Sequence, residues 1–245
     1  MKIKLLLSYD GTNYSGWQIQ KQGITLQETL QNAIFSITGE RVTVVGSGRT
    51  DAGVHAEGQV AHFEIQNTSV PPQNFAKALN TVLPSDFKVL KSEQISDDFD
   101  ARKSAKKKTY CYSTYYSLTE LPLKERYSVK LDKKPDISLM QKASEIFIGE
   151  HDFKCFNASG GGAKTTVRTV YDIKIEADGC DYKFFVCGNG FLYNIVRTMV
   201  GTIIEVGIGK KTLEQVKSAL DEKDRKKVGK TLPAKGLSLK SVEYN

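Results

Sequence analysis

The sequence predicts an α+β fold: two ferredoxin-like (βαββαβ) halves, their antiparallel sheets joined across a central cleft. Two observations carry this. The hydrophobic period alternates between the strand value of 2 and the helix value of 3.6 in the order β-α-β-β-α-β, and the same order then runs a second time. The restart follows Phe99-Asp100-Ala101-Arg102, which predicts one domain over residues 1–102 and another over 103–245. No repeat shows at the level of residue identity, so element order alone carries the duplication.

Each element has its own signal. IKLLLSY alternates as a half-buried strand. Thr25-Leu26-Gln27-Glu28 has the pattern of a capping box and opens a helix whose apolar positions are Leu26, Leu30, Ala33, Ile34 and Ile37, stopping at Gly39. VTVVG and QVAHFEI are strands. Pro71-Pro72 start a second helix through Phe75, Ala78, Leu79 and Val82, and FKVLKSEQI closes the first half. In the second half KKTYCYSTYY is a Tyr-rich strand and DISLMQKASEIFIG an amphipathic helix. TVRTVYDIKIEA and DYKFFVCG form a hairpin over Asp178-Gly179. GFLYNIVRTMVGTIIEVG is a largely apolar helix extended by TLEQVKSAL, and KGLSLKSVEY is the closing strand.

Bulk properties exclude several classes. No run approaches the eighteen or so apolar residues of a membrane helix, and MKIKLLLSYDG lacks the pattern of a secretion signal. Four cysteines without a CxxC pair and three scattered histidines argue for reduced thiols in a cytoplasmic protein and against a metal centre. The net charge is +7, with basic residues gathered at Lys106-Lys107-Lys108 and again at Lys223, Arg225, Lys226, Lys227 and Lys230. Either cluster alone suits a solvated face; two clusters with an overall excess point toward a phosphate backbone.

The stretch GSGRTDAGVHAEGQ, residues 46–59, places Asp51 on a glycine-punctuated bend between two strands. It has no third glycine for a dinucleotide fingerprint and no Gly-Lys-Ser/Thr for a P-loop. Asp51 serves either an Asx-turn or chemistry in a partly dry cleft, where Arg49 or the distant Arg197 would keep it ionised. Arg197 sits in an apolar helix, so it is either paired or snorkels to water. Tyr110 and Tyr112 share one strand face behind the three lysines, a pattern that suits base stacking as well as ordinary packing. His55 and His62 have no third ligand nearby, and Glu57 lies in the same loop as a candidate second carboxylate.

These residues together resemble the tRNA pseudouridine synthase A family over nearly the whole chain. YDGTNYSGWQIQ (9–20), GRTDAGVHAEGQ, KKTYCY, NGFLYNIVRTMVG and PAKGLSLKSVEY correspond to its amino-terminal motif, catalytic loop, tyrosine motif, arginine helix and last strand. The resemblance implies that Asp51 is the catalytic aspartate, that Tyr110 stacks on the target base and that Arg197 pairs with Asp51. It implies that Arg49 helps displace the target nucleotide, while Lys106, Lys107 and Lys108 are expected to hold RNA. The implied reaction isomerises uridine to pseudouridine in the anticodon stem-loop of tRNA, at positions 38–40, with no cofactor and as a homodimer. Asp51 would attack C1′ or remove the C2′ proton; both roles need an ionised carboxylate. Lys103 stands where the family carries an apolar or aromatic residue, and ASGGGAK is unusually rich in glycine. Two other functions compete: an RNA-binding module without catalysis, and a uracil-releasing or ribose-cleaving hydrolase using Asp51 with Glu57.

Overall fold

Alternate residues of the first strand, Ile3, Leu5, Leu7 and Tyr9, are buried, which is what one core-facing side of a sheet requires. A computed structural model of the chain describes residues 1–157 and 164–244. Residues 158–163, most of the ASGGGAK stretch, lie outside the described residues. The chain is mixed α+β and divides into two units, residues 1–106 with 238–245, and residues 107–237.

In the first unit β1 (Lys2–Tyr9) pairs antiparallel with both β3 (His55–Glu64) and β4 (Phe87–Ile95), giving the order β4-β1-β3. The helix α1 (Leu26–Thr38) buries Leu26, Leu30, Ala33 and Ile34. Thr25 caps it by accepting from the Glu28 N–H at 3.4 Å, and Gly39 ends it in the left-handed region at φ 73°. The strand expected over VTVVG shortens to β2 (Val45–Gly46), paired with β3. Side-chain amides of α1 take the preceding backbone groups: Gln31 accepts from the Val44 N–H at 3.0 Å, and Gln27 donates to the Val44 carbonyl at 2.8 Å. The second helix is also shorter than expected, a 3₁₀ turn at Pro72–Asn74 and then α2 (Phe75–Leu79). Asn80 stops it by bonding both backbone groups of Val89 in β4, at 2.8 and 2.9 Å.

The second unit holds β5 (Lys107–Tyr116), β6 (Val129–Leu131), α3 (Ile137–Glu145), β7 (Gly149–Asp152), β8 (Val167–Asp178) and β9 (Asp181–Gly188). Its sheet runs β5-β9-β8-β7 with antiparallel pairing, while β6 lies parallel beside β5. In both units the first long strand lies beside the later strand of the hairpin-connected pair, the split β-α-β arrangement. The apolar helix α4 (Ile195–Gly207) starts later than its composition suggests, because Asn194 takes φ 62° just before it. Gly209, at φ 73°, separates it from α5 (Leu213–Asp221), which the sequence reads as its continuation. Among the described residues no helix is long and apolar enough to cross a membrane.

The last strand, β10 (Leu237–Glu243), closes the second half in the sequence reading, yet from Ser238 onward it belongs to the first unit. It pairs parallel with the start of β3, Ser238 opposite His55 and Leu239 opposite Ala56. Beyond it the Tyr244 ring lies 4.9 Å from that of Phe99, and its hydroxyl donates to the Ala101 carbonyl at 2.8 Å. Periodicity identifies a strand but not its partner.

Phe63, fully buried and 5.4 Å edge-on from Phe75, sits in the first unit's core. Phe63→Ala is expected to cost about 3–5 kcal/mol by urea unfolding, against less than about 0.5 kcal/mol for Leu118→Ala at a 92%-exposed position.

Candidate active-site loop and its aromatic and arginine counterparts

The Asp51 loop is built from backbone first. The Val54 N–H donates to the Asp51 carbonyl at 3.1 Å, closing a turn whose third residue, Gly53, has φ 76°. That position needs a residue tolerant of positive φ, which glycine supplies. Closure of the turn therefore rests on main chain and glycine. Asp51 itself is half-buried, Thr50 before it is buried, and Arg49 is exposed. The Arg49 side chain makes no hydrogen bond or ion pair with any described residue.

The amino-terminal motif and the loop motif form one structure. The Thr50 carbonyl accepts from the Trp17 N–H at 3.0 Å, and the Tyr14 carbonyl accepts from the Gly53 N–H at 3.4 Å. The Thr50 hydroxyl shares a 2.9 Å hydrogen bond with the Tyr9 phenol. Gln59, fully buried on β3, donates to the Gly48 carbonyl at 3.0 Å and to Tyr9 at 3.4 Å, while accepting from the Ser47 hydroxyl at 2.6 Å. Gly46 lets the Trp17 indole lie flat against the chain; a Cβ there would come within 2.6 Å of the ring. Sequence reasoning assigned no role to Tyr9, Trp17, Ser47 or Gln59. The available signal was two polar-aromatic motifs flanking core strands, which have to satisfy each other when buried.

Other candidates in the loop have structural uses. His55 accepts from the Gly11 N–H and His62 from the Ala101 N–H, both through Nδ1 at 3.1 Å. Burial holds His62 below the usual histidine pKa. Among the described residues no cluster of three or more His, Cys, Asp or Glu could hold a metal ion. Glu57 is exposed, and its carboxylate is engaged by Lys240 and by the Ser238 hydroxyl of β10. It is therefore tied to a neighbouring strand, which weakens its case as the second carboxylate of a hydrolytic pair.

In the second unit, strand alternation puts Lys108, Tyr110 and Tyr112 on one face of β5 and Lys107 on the other. Lys106 precedes the strand, is exposed, and donates its backbone N–H to Glu243. The two tyrosines diverge in use. Tyr112 is fully buried and donates to the Pro233 carbonyl at 2.6 Å. Burial pushes its pKa up, with the nearby Arg197 charge pulling the other way. Tyr110 meets the edge of the half-buried Phe191, with ring centroids 5.3 Å apart and planes at 89°.

Arg197 projects from the first turn of α4. Its Nε donates to the Leu232 carbonyl at 2.7 Å and its Nη1 to the Asn194 side chain at 2.6 Å. Two bonds at different nitrogens fix the plane of a guanidinium. The 228–232 segment that supplies the Leu232 carbonyl is itself stitched to α4, Thr231 to Thr198 at 2.8 Å and the Gly229 N–H to Thr202 at 2.9 Å. Part of the second basic cluster is already engaged: Lys223 pairs with Asp152 and Lys227 with Glu222, each at 2.7 Å, and Arg225 donates to the Cys155 carbonyl at 3.0 Å. Two of its five basic side chains are thus paired with carboxylates.

A family profile described as tRNA pseudouridine synthase matches residues 6–102 and 143–245. The chain belongs to that family. It is 45% identical over 242 residues to tRNA pseudouridine synthase A of Acetivibrio thermocellus, and 46% identical over 243 residues to tRNA pseudouridine synthase A 2 of Clostridium perfringens. A Clostridium botulinum tRNA pseudouridine synthase A is 46% identical over 242 residues; each of the three alignments covers 99% of both chains. Membership makes this chain an isomerase that converts uridine to pseudouridine in tRNA.

Within this synthase the Tyr9 phenol reports on the loop. Burial pushes its pKa up to about 12, against the lowering effect of its bonds to Thr50 and Gln59. A raised folded-state pKa contributes stability that is fully present below the unfolded value near 10 and is lost as pH rises toward 12. Urea unfolding at pH 9 and pH 11 is expected to show a stability loss on the order of 1–2 kcal/mol larger for the wild type than for Tyr9→Phe. Equal losses in the two proteins would show that the phenol is not held in this environment.

Proposed function

We propose that the chain acts on the anticodon stem-loop of tRNA, with Asp51 as the catalytic carboxylate. The observation that carries this is the Asp51 turn, closed by its own backbone and anchored by Tyr9, Trp17 and Gln59 through Thr50 and Gly48. A reacting group needs such fixed support, because small misplacements cost large factors in rate. The reaction breaks C1′–N1, turns the base, joins C1′ to C5, moves a proton onto N1 and releases the C5 proton. No group is donated and nothing is oxidised, so the proposal needs no cofactor.

The other roles follow the family resemblance residue by residue. Arg197, its guanidinium plane set by Leu232 and Asn194, supplies the cation that keeps Asp51 ionised. Tyr110 holds the unstacked base, and exposed Arg49 takes the space the uridine leaves in its stack. Lys106 and Lys108 contact phosphates, Lys108 from the same strand face as Tyr110. Lys107, on the opposite face, is a weaker candidate. The proposal includes a cytoplasmic homodimer.

Incubation with unmodified tRNA, followed by carbodiimide treatment and reverse transcription, is expected to give new stops in the anticodon arm. With Asp51→Asn they should fall by on the order of a thousandfold or more at retained tRNA affinity. Stops that persist in the Asn variant would remove Asp51 from the chemistry.

Strand alternation adds a second expectation. Lys108→Ala should weaken tRNA binding and lower the slope of log K against log salt by about one, and Lys107→Ala should do so less. Equal effects would show that both faces of β5 meet RNA.

A further inference from the structure

We propose that Arg168 binds a backbone phosphate of the RNA beside the Tyr110–Phe191 pair, presenting the edge formed by Nε and Nη2. The inference rests on the tRNA reading above and adds a contact to it. Arg168 lies on β8, opposite His151 of β7. Its Nη1 donates to the Thr165 carbonyl at 2.9 Å and also to the Val167 carbonyl, so the guanidinium is held by its own chain. Both bonds use the same nitrogen. Among the described residues none accepts from Nε or Nη2, and Arg168 forms no ion pair.

A neighbouring carboxylate is already engaged elsewhere. Asp152, opposite Val167 across the β7–β8 ladder, is taken by Lys223 at 2.7 Å and by the Thr166 hydroxyl at 2.5 Å. Arg168 is half-buried, and the partial loss of water lowers its pKa from the usual arginine value. An arginine side chain nonetheless remains cationic in proteins. A guanidinium partly stripped of water and without a carboxylate is poised for an anion, and its planar edge matches two phosphate oxygens.

The position connects this cation to the base-holding residues. A Cβ built on Gly190 would lie 3.9 Å from Arg168 Nε, so the free edge borders the turn between β9 and α4. The next residue in that turn is Phe191, which meets Tyr110. The turn is fixed to β8 beside Arg168, because Asn189 accepts from the Thr169 N–H at 3.0 Å and donates its own N–H to the Thr169 carbonyl at 3.0 Å. Lys108 faces Gly188 at the other end of the same turn. A base held by Tyr110 thus has its sugar-phosphate chain between two cations carried by rigid strands.

Binding of an unmodified tRNA transcript to the full-length chain tests this, with Kd measured as a function of salt. Arg168→Gln should weaken binding roughly tenfold or more and lower the salt slope by about 0.7–0.9, the signature of one phosphate contact. Arg168→Lys should keep the wild-type slope yet recover only part of the affinity, since a point charge cannot make the paired bonds. Wild-type Kd and slope in Arg168→Gln would overturn the inference, as would an effect confined to free uridine monophosphate with tRNA binding unchanged. Should Arg168→Gln fail to fold, the Lys variant decides: the wild-type slope with weakened Kd supports the contact, and a wild-type Kd overturns it. Absence of tRNA binding by the wild type would sink the tRNA reading itself, an outcome distinct from these.

Discussion

Buried polar groups have to find partners, and around the Asp51 loop that requirement is met by one connected set of side chains. Gln59 joins the Ser47 hydroxyl, the Gly48 carbonyl and the Tyr9 phenol, and Tyr9 reaches Thr50, the residue before Asp51. Removing any member strands another inside the protein, at about 1–3 kcal/mol for each orphaned group. The network therefore specifies one loop conformation. A carboxylate on a loose bend would spend most of its time away from productive geometry, so every catalytic statement about Asp51 depends on these bonds.

The same logic recurs in the second unit with different materials. Arg197 is oriented by a carbonyl and a side-chain amide, and the segment carrying that carbonyl is bonded to the helix that carries the arginine. Tyr110 is set against Phe191 edge to face, while Tyr112, two residues on, is spent on the core. Tyr110 and Arg197 stand on regular elements, and the Asp51 loop is held by main-chain and side-chain bonds before any substrate arrives. Such preorganisation lets positioned charges act without paying a reorganisation cost during the reaction.

Periodicity and capping signals read much of this fold directly. α1 was legible from Thr25 to Gly39, because its cap, its apolar stripe and its stop are all local. What was not legible depended on long-range partners. The strand around Val44 shortened because Gln27 and Gln31 of α1 took its backbone groups, and α2 ended at Asn80 because that side chain imitates a strand partner for Val89. The parallel pairing of β10 with β3 was likewise not legible, since periodicity marks a strand without naming its neighbour. The candidate residues themselves were visible, since their motifs are distinctive. Their supports were not, since Gln59 in a strand reads as an ordinary polar position. Nor do charge counts show that Lys223 and Lys227 of the second basic cluster have carboxylate partners.

A structure of Asp51→Asn bound to unmodified tRNA measures the central claim most directly. The account predicts one anticodon-arm uridine out of its stack, with its C1′ about 3–3.5 Å from the side chain at position 51. A complex in which every base of that arm stays stacked, with position 51 remote from any ribose, would contradict it.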